Sequence, residues 1–319
     1  MLTKTMVPFV LHRVLRQNAG DCIQHRFAQL NLTFPALFSA ADESANKWQH
    51  SFWRLIRAEY ALLFLASVFT MGLSNHGLYH AAYALVLLAS LAVLLHRTGR
   101  KPEQDWYRCR ALAESVKTST WRYVMRAQPF NGEDPDARKQ FRHMLGELLS
   151  SNEHIADKLA GYNLDGAQTT PEMEQVRAMD WQARRDFYVK NRIRDQRSWY
   201  SAKATQHAAS AAFWRRVSIA IYVVGTVLAL IRISNHDWLP FWPVEPLIVA
   251  ASAVLGWGQI NKFSELASAY TLTALEIGLI EGKLQDLDKE SELSDFVNEA
   301  ELAFSREHTQ WVARQTSHV

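Results

Sequence analysis

Apolar positions are spread unevenly along the chain. From Tyr60 to Leu95, 36 residues pass without an Asp, Glu, Lys or Arg, in a protein that is 21% charged. A helix needs roughly 17–25 residues to cross a hydrocarbon core, so this length suits two spans in sequence. Gly72 and Gly77 lie near its middle as turn-prone residues. The pattern predicts a helical hairpin with spans at about 60–76 and 78–95. A helical hairpin buried in a soluble bundle would keep a polar stripe on its wet face, and this stretch has none.

A second apolar pair follows, Val217–Ile231 and Trp238–Asn261, with Arg232, Asp237 and Glu245 in its connection. It predicts spans at about 214–231 and 242–260. Trp238, Phe241 and Trp242 are placed like an interfacial aromatic belt, and Pro240, Pro243 and Pro246 break or start a helix there. The two pairs repeat one another: "FWRLI" from Phe52 matches "FWRRV" from Phe213 at an offset of 161. Ser-Asn-His also occurs twice, ending at His76 and at His236, and marks the turn of a duplicated hairpin. These are ordinary turn residues. The sharper alternative makes His76, His236 and the acidic Glu245 polar groups of a membrane pathway, since a carboxylate at membrane depth is costly and functional by default.

Cations give the orientation. Arg54, Arg57, Arg97, Arg100 and Lys101 flank the first hairpin and Arg215, Arg216 and Lys262 the second, whereas Arg232 is the one Lys or Arg in the two turns. By the positive-inside rule both termini and the middle region are expected on the cytoplasmic side of a multi-pass membrane protein.

The remaining segments read as polar helices. Glu103–Gln128, stopped by Pro129, sets Tyr107, Arg110, Glu114, Lys117 and Trp121 on one stripe. A second helix begins near Pro135 and runs to Leu159, and Tyr162–Thr169 is a linker between the halves. After Pro171 no Pro or Gly occurs until Gly225, which allows one long helix or two with a bend. Its stripe is Tyr188, Arg192, Gln196, Trp199 and Lys203. Helical pattern resumes to Leu287, and a last helix from about Ser294 carries Glu307, His308 and Trp311. Such mixed stripes make salt bridges and aromatic packing between helices, or else anchor subunits to one another. The fold expected is all-α: an integral membrane protein with two transmembrane hairpins, four spans in all, and long cytoplasmic helices packed as a bundle. It divides into an N-terminal segment (1–34), a first two-span unit (35–165) and a second (166–319).

Composition narrows the chemistry. A net charge of +3 is too balanced for a basic-patch nucleic-acid binder. Cys22 and Cys109 lie far apart without metal or disulfide spacing. The run before Pro8 is short for a signal-peptide core, so no cleaved signal is expected. No nucleotide-binding loop, zinc-protease helix or nucleophile elbow occurs. His76 and His80 share i, i+4 spacing, but Gly77 and the turn argue against a metal. Neither enzymatic activity nor a cofactor is expected.

The order of hairpin, "YRCRALAESVKTSTWRYVMRAQPF", "YVKNRIRDQRSWYSAKA", second hairpin and "SREHTQW" resembles the SLATT superfamily of two-transmembrane effector domains, in the tandem form often labelled DUF4231. The resemblance covers about residues 35 to 315 and is carried by Arg110, Ala113, Glu114, Lys117 and Trp121, then by Tyr188, Arg192, Gln196, Tyr200 and Lys203. It implies a bacterial conflict-system effector, proposed to form pores, encoded beside a nucleotide synthetase, a sensor or a reverse transcriptase. The two units consume the chain and leave no separate nucleotide-sensor domain. Activation is then expected from an operon-encoded partner or from a site formed within the helices themselves, and a conducting path through the bacterial inner membrane implies a homo-oligomer in the lipid bilayer, since four helices of one chain can pack closed. The alternative is a non-conducting membrane anchor that recruits a soluble partner.

Overall fold

The computed structural model describes residues 32–316 apart from 163, 164, 236, 237 and 239, with the backbone alone at 234, 285 and 305–316. Most of the N-terminal segment and His236 therefore lie outside the described residues. Among the described residues every regular element is helical. The helices are α1 (Ala36–Phe69), α2 (Gly77–Arg100), α3 (Pro102–Val124), α4 (Asp134–Ser151), α5 (Ala156–Leu159), α6 (Pro171–Arg177), α7 (Trp181–Tyr188), α8 (Arg194–Ser234), α9 (Val244–Asn261), α10 (Phe263–Lys283) and α11 (Glu290–Thr316). A π-helical turn, Val189–Ile193, joins α7 to α8 without interrupting the chain's helical course.

The chain divides into two compact units, and the boundaries fall within α1 and α10 and near the start of α8. A hairpin unit comprises residues 52–101 and 199–273. A bundle unit comprises the described residues up to 51, with 102–198 and those from 274 onwards.

In the hairpin unit, α1 turns into α2 through Gly72, whose φ of +67° is the left-handed conformation that glycine adopts at no steric cost. The first Ser-Asn-His is that turn. Ser74 Oγ accepts the His76 amide at 3.2 Å, and the Tyr79 hydroxyl donates to the Phe69 carbonyl at 2.7 Å while accepting the Leu73 amide. One phenol thus ties both arms to the turn. At the other end of the hairpin Arg97 meets Glu59 at 3.0 Å. On the second hairpin Trp257 receives Trp53 at 5.3 Å and Trp214 at 6.3 Å between ring centroids. Trp53 and Trp214 are themselves related by the 161-residue offset. Gly256 lets α9 approach α1: a Cβ there would stand 2.5 Å from the Tyr60 hydroxyl.

The duplication reaches the backbone. Lys101 (φ 46°) and Lys262 (φ 47°), separated by the same offset, both adopt the left-handed conformation and close α2 and α9. Each separates a hairpin arm from the polar helix that follows it. A lysine has no intrinsic reason to sit there, since its Cβ disfavours positive φ.

The bundle unit is a conventional core. α3 lies against α4, α6 and α11, and buries Leu112, Val116, Trp121, Tyr123 and Val124 with Phe130, Phe141, Met173, Val176, Leu293 and Val297. Its helices end where local chemistry dictates. α3 stops at Val124, short of Gln128, because Arg126 turns left-handed (φ 54°) ahead of Pro129. The helix expected to reach Leu159 breaks at Asn152, whose φ of −118° leaves the helix. After Pro171 the chain takes the second of the two forms expected, two helices separated by a short break at 178–180. Thr170 caps α6 on the Met173 amide, Asp180 caps α7 on the Ala183 amide, and from Trp181 the helix then continues to Ser234. The last helix starts at Glu290, not Ser294.

Candidate functional site

Two surfaces carry chemistry: the bare apolar arms of the hairpin unit and a buried chain of charges in the bundle unit.

α2 buries no residue at all, and Leu78 is 85% exposed, with Leu85, Leu88, Leu91 and Leu95 also open. α8 presents Ile219, Val223, Val227, Leu230 and Ile233 in the same way. Both helices, within the stretches Gly77–Val124 and Trp181–Ile233, are long and apolar enough to cross a membrane, and their most apolar windows are 0% and 6% buried inside the protein. A core helix of a soluble protein would be mostly buried. The four spans expected from the sequence reduce to these two by length and composition. α1 brings Arg54, Arg57 and Glu59 into its approach and ends at Phe69, and α9 is diluted by Glu245, Gln259 and Asn261. Trp238 and Phe241 stand exposed in the second connection, while Trp242 is buried under the Arg232 guanidinium. Glu245 is exposed in the first turn of α9, and His76 is exposed where α2 begins.

In the bundle unit the first predicted stripe is brought together along α3. Tyr107 stacks on Trp106 at 4.9 Å and is buried. Arg110 bridges Asp42 (2.6 Å) and Glu114 (2.7 Å), and the Lys117 ammonium lies 3.9 Å from Glu114. Burial holds that ammonium below its ordinary range, with the Arg192 charge acting in the same direction. Trp121 packs among Phe34, Phe187 and Tyr188 at 5.7–6.4 Å.

The second stripe is divided between the units. Tyr188 precedes the π-helical turn, Arg192 lies within it, and both reach Glu301 of α11: the phenol donates at 2.8 Å, and the guanidinium donates twice, at 2.8 and 2.7 Å. The two charged partners are 2% and 0% exposed, and the Phe304 ring lies under the guanidinium at 4.7 Å. Gln196 donates to Asp195 at 3.4 Å. In the hairpin unit, Trp199 joins Tyr200 and Tyr270 in an aromatic cluster, and Lys203 donates to Gln206 at 3.1 Å. Glu307, His308 and Trp311 belong to the last stretch of α11, where side chains are outside the description.

Three groups escaped the sequence reading. Glu301 is the first. Arg177 is the second: buried, it donates to Asp134 (2.8 Å) and to the carbonyls of Tyr123 (2.6 Å) and Gly132 (3.1 Å), with its guanidinium 4.8 Å over the Tyr123 ring. Burial, helped by a hydrogen bond to Glu174, pushes that phenol up to about 12. The third is Asp42, the counter-ion of Arg110. Among the described residues no three His, Cys, Asp or Glu side chains gather as a metal ion would require.

The chain contains two tandem domains of one superfamily. Residues 35–185 match the model of SMODS and SLOG-associating 2TM effector domain 3, and residues 188–311 match that of effector domain 1. It belongs to the SLATT family of two-transmembrane effectors, which are associated with conflict and anti-phage systems. The break between the two matches, Asp186 and Phe187, lies just ahead of the π-helical turn that begins at Val189. The same comparisons find no match among curated proteins or among solved structures.

Proposed function

We propose that this protein is the membrane effector of a bacterial conflict system. It oligomerises in the inner membrane and, once triggered by an operon-encoded partner or a nucleotide signal, opens a pore or disrupts the bilayer and halts growth. The observation that supports the reading is the uncovered apolar surface of α2 and α8 in a chain built of two 2TM effector domains. Both hairpins cross the membrane, giving four spans with termini and bundle unit on the cytoplasmic side, as the flanking cations require. The partner is a nucleotide synthetase, a sensor or a reverse transcriptase encoded beside it. Water in a conducting path needs polar lining or subunits arranged around it, so conduction belongs to the assembly and not to one closed four-helix protomer.

Cells expressing the chain with its neighbouring genes are expected to lose membrane potential and admit an impermeant dye soon after phage infection. Cells that arrest with potential intact, while a soluble protein co-purifies with the chain, would instead identify a non-conducting anchor.

A further inference from the structure

Beyond the hairpin arms, one helix face stands uncovered. The contacts of α10 among the described residues gather along one side. Its Tyr270 packs on Trp199 and Tyr200 at 5.7 and 5.5 Å. Further along, Glu281 binds Arg194 at 2.7 Å and Arg197 at 3.1 Å, and the absence of a side chain at Gly278 admits the Arg197 guanidinium. Ile277 completes this buried side.

The opposite side carries Ser268, Leu272, Leu275, Leu279 and Gly282, all exposed. Its three leucines are 59%, 62% and 74% exposed, in a helix beyond Lys262 that also bears Glu265, Glu276 and Glu281. Steps of four, three, four and three residues give a period of 3.5, the spacing of a coiled-coil seam. The positions related to it by the duplication are less exposed in the first unit. At the 161-residue offset the three leucines correspond to Ala111, Glu114 and Thr118 of α3, which are half-buried or buried, and α11 runs along α3. Among the described residues α10 has no equivalent of α11.

We propose that the Leu272–Leu275–Leu279 seam of α10 is a subunit interface, and that its occupant is the same seam of a second copy. The proposal rests on the oligomeric reading above and gives that assembly a surface. Copies inserted in one membrane share an orientation, so a symmetry axis along the membrane normal makes their α10 helices parallel. In parallel register each leucine layer meets its own copy, Ser268 and Gly282 close the seam at either end, and the flanking pairs are Thr271 with Glu276 and Gly278 with Lys283. Between Ser268 and Gly282 no like charges face each other, and Glu265, in line with the seam one turn earlier, lies beyond its end. A lipid surface suits the face poorly, because Glu265 lies beyond the end of the seam and Glu276 beside it, and the inner leaflet is anionic.

The test uses the full chain. In membranes, Leu275→Cys on a background of Cys22→Ser and Cys109→Ala should cross-link into dimers with a short bismaleimide, whereas Leu149→Cys, an exposed site on α4, should not. After detergent extraction, Leu275→Asp with Leu279→Asp should lower the multimer measured by native mass spectrometry about tenfold or more. Helix content and thermal midpoint should stay unchanged, because both leucines are exposed. Multimers that persist in the doubly substituted chain, or a cross-link at position 275 to another protein or to nothing, would overturn the interface. If the substituted chain is monomeric, folded and still depolarises cells, the interface stands and the oligomeric effector reading fails instead.

Discussion

Glu301→Ala lowers the stability of the extracted chain by about 3–5 kcal/mol, because it strands the Arg192 guanidinium in the core without a counter-charge. Arg192 and Glu301 are 2% and 0% exposed, so water cannot replace the lost carboxylate. The Tyr188 hydroxyl loses its acceptor in the same step. A fall of order 10 °C in thermal midpoint is the readout, on the usual scaling for units of this size. The pair is a matched requirement and not a gain in itself. Replacing all three together, Tyr188→Phe, Arg192→Met and Glu301→Leu, should therefore recover most of the loss, to within about 1–2 kcal/mol of the parent. An unchanged midpoint for Glu301→Ala would mean that α11 is not seated on the π-helical turn as described.

Trp121→Ala is the second large effect, again about 3–5 kcal/mol, through the cavity left among Phe34, Phe187 and Tyr188. Its indole nitrogen has no hydrogen-bond partner, so Trp121→Phe loses only packing and should cost clearly less. This experiment separates the two roles that the sequence allowed for the stripe. A packing residue that is 1% exposed lowers the melting midpoint when removed, whereas a subunit anchor changes the mass of the assembly and leaves the protomer folded. The expected result is the first.

How far such features can be read from sequence depends on whether their cause is local. The first hairpin follows from the missing charge between Tyr60 and Leu95, and its turn from Gly72 and the first Ser-Asn-His triplet, because a long uncharged run and a tight turn each restrict residue type directly. The stripes of Tyr107–Trp121 and Tyr188–Arg192 follow from helical spacing. Their partners are less accessible. Glu301 is in line with Leu293 and Val297 at i+8 and i+4, so its place on a buried face could have been read from that periodicity; nothing local says that Arg192, over a hundred residues away, awaits it. Asp180 is an ordinary N-cap that starts a helix three residues after the previous one ends, yet an unbroken run without Pro or Gly disguises it. Lys101 and Lys262 give no compositional hint of a left-handed backbone. Only their shared offset, seen after the fold, makes the pair meaningful. The bare seam of α10 needed the structure too, since Leu272, Leu275 and Leu279 would read equally well as core.

Every functional statement rests on both hairpins entering the bilayer and returning. Single cysteines at Asn75 and Asn235, exposed in the two connections, test this directly in intact cells when Cys22 and Cys109 are replaced and Asp136→Cys, exposed in the bundle unit, serves as the internal reference. An impermeant maleimide added outside is expected to label positions 75 and 235 and to reach position 136 only after lysis. Equal labelling of all three before lysis, or of none until lysis, would contradict the membrane hairpins and with them the effector proposed here.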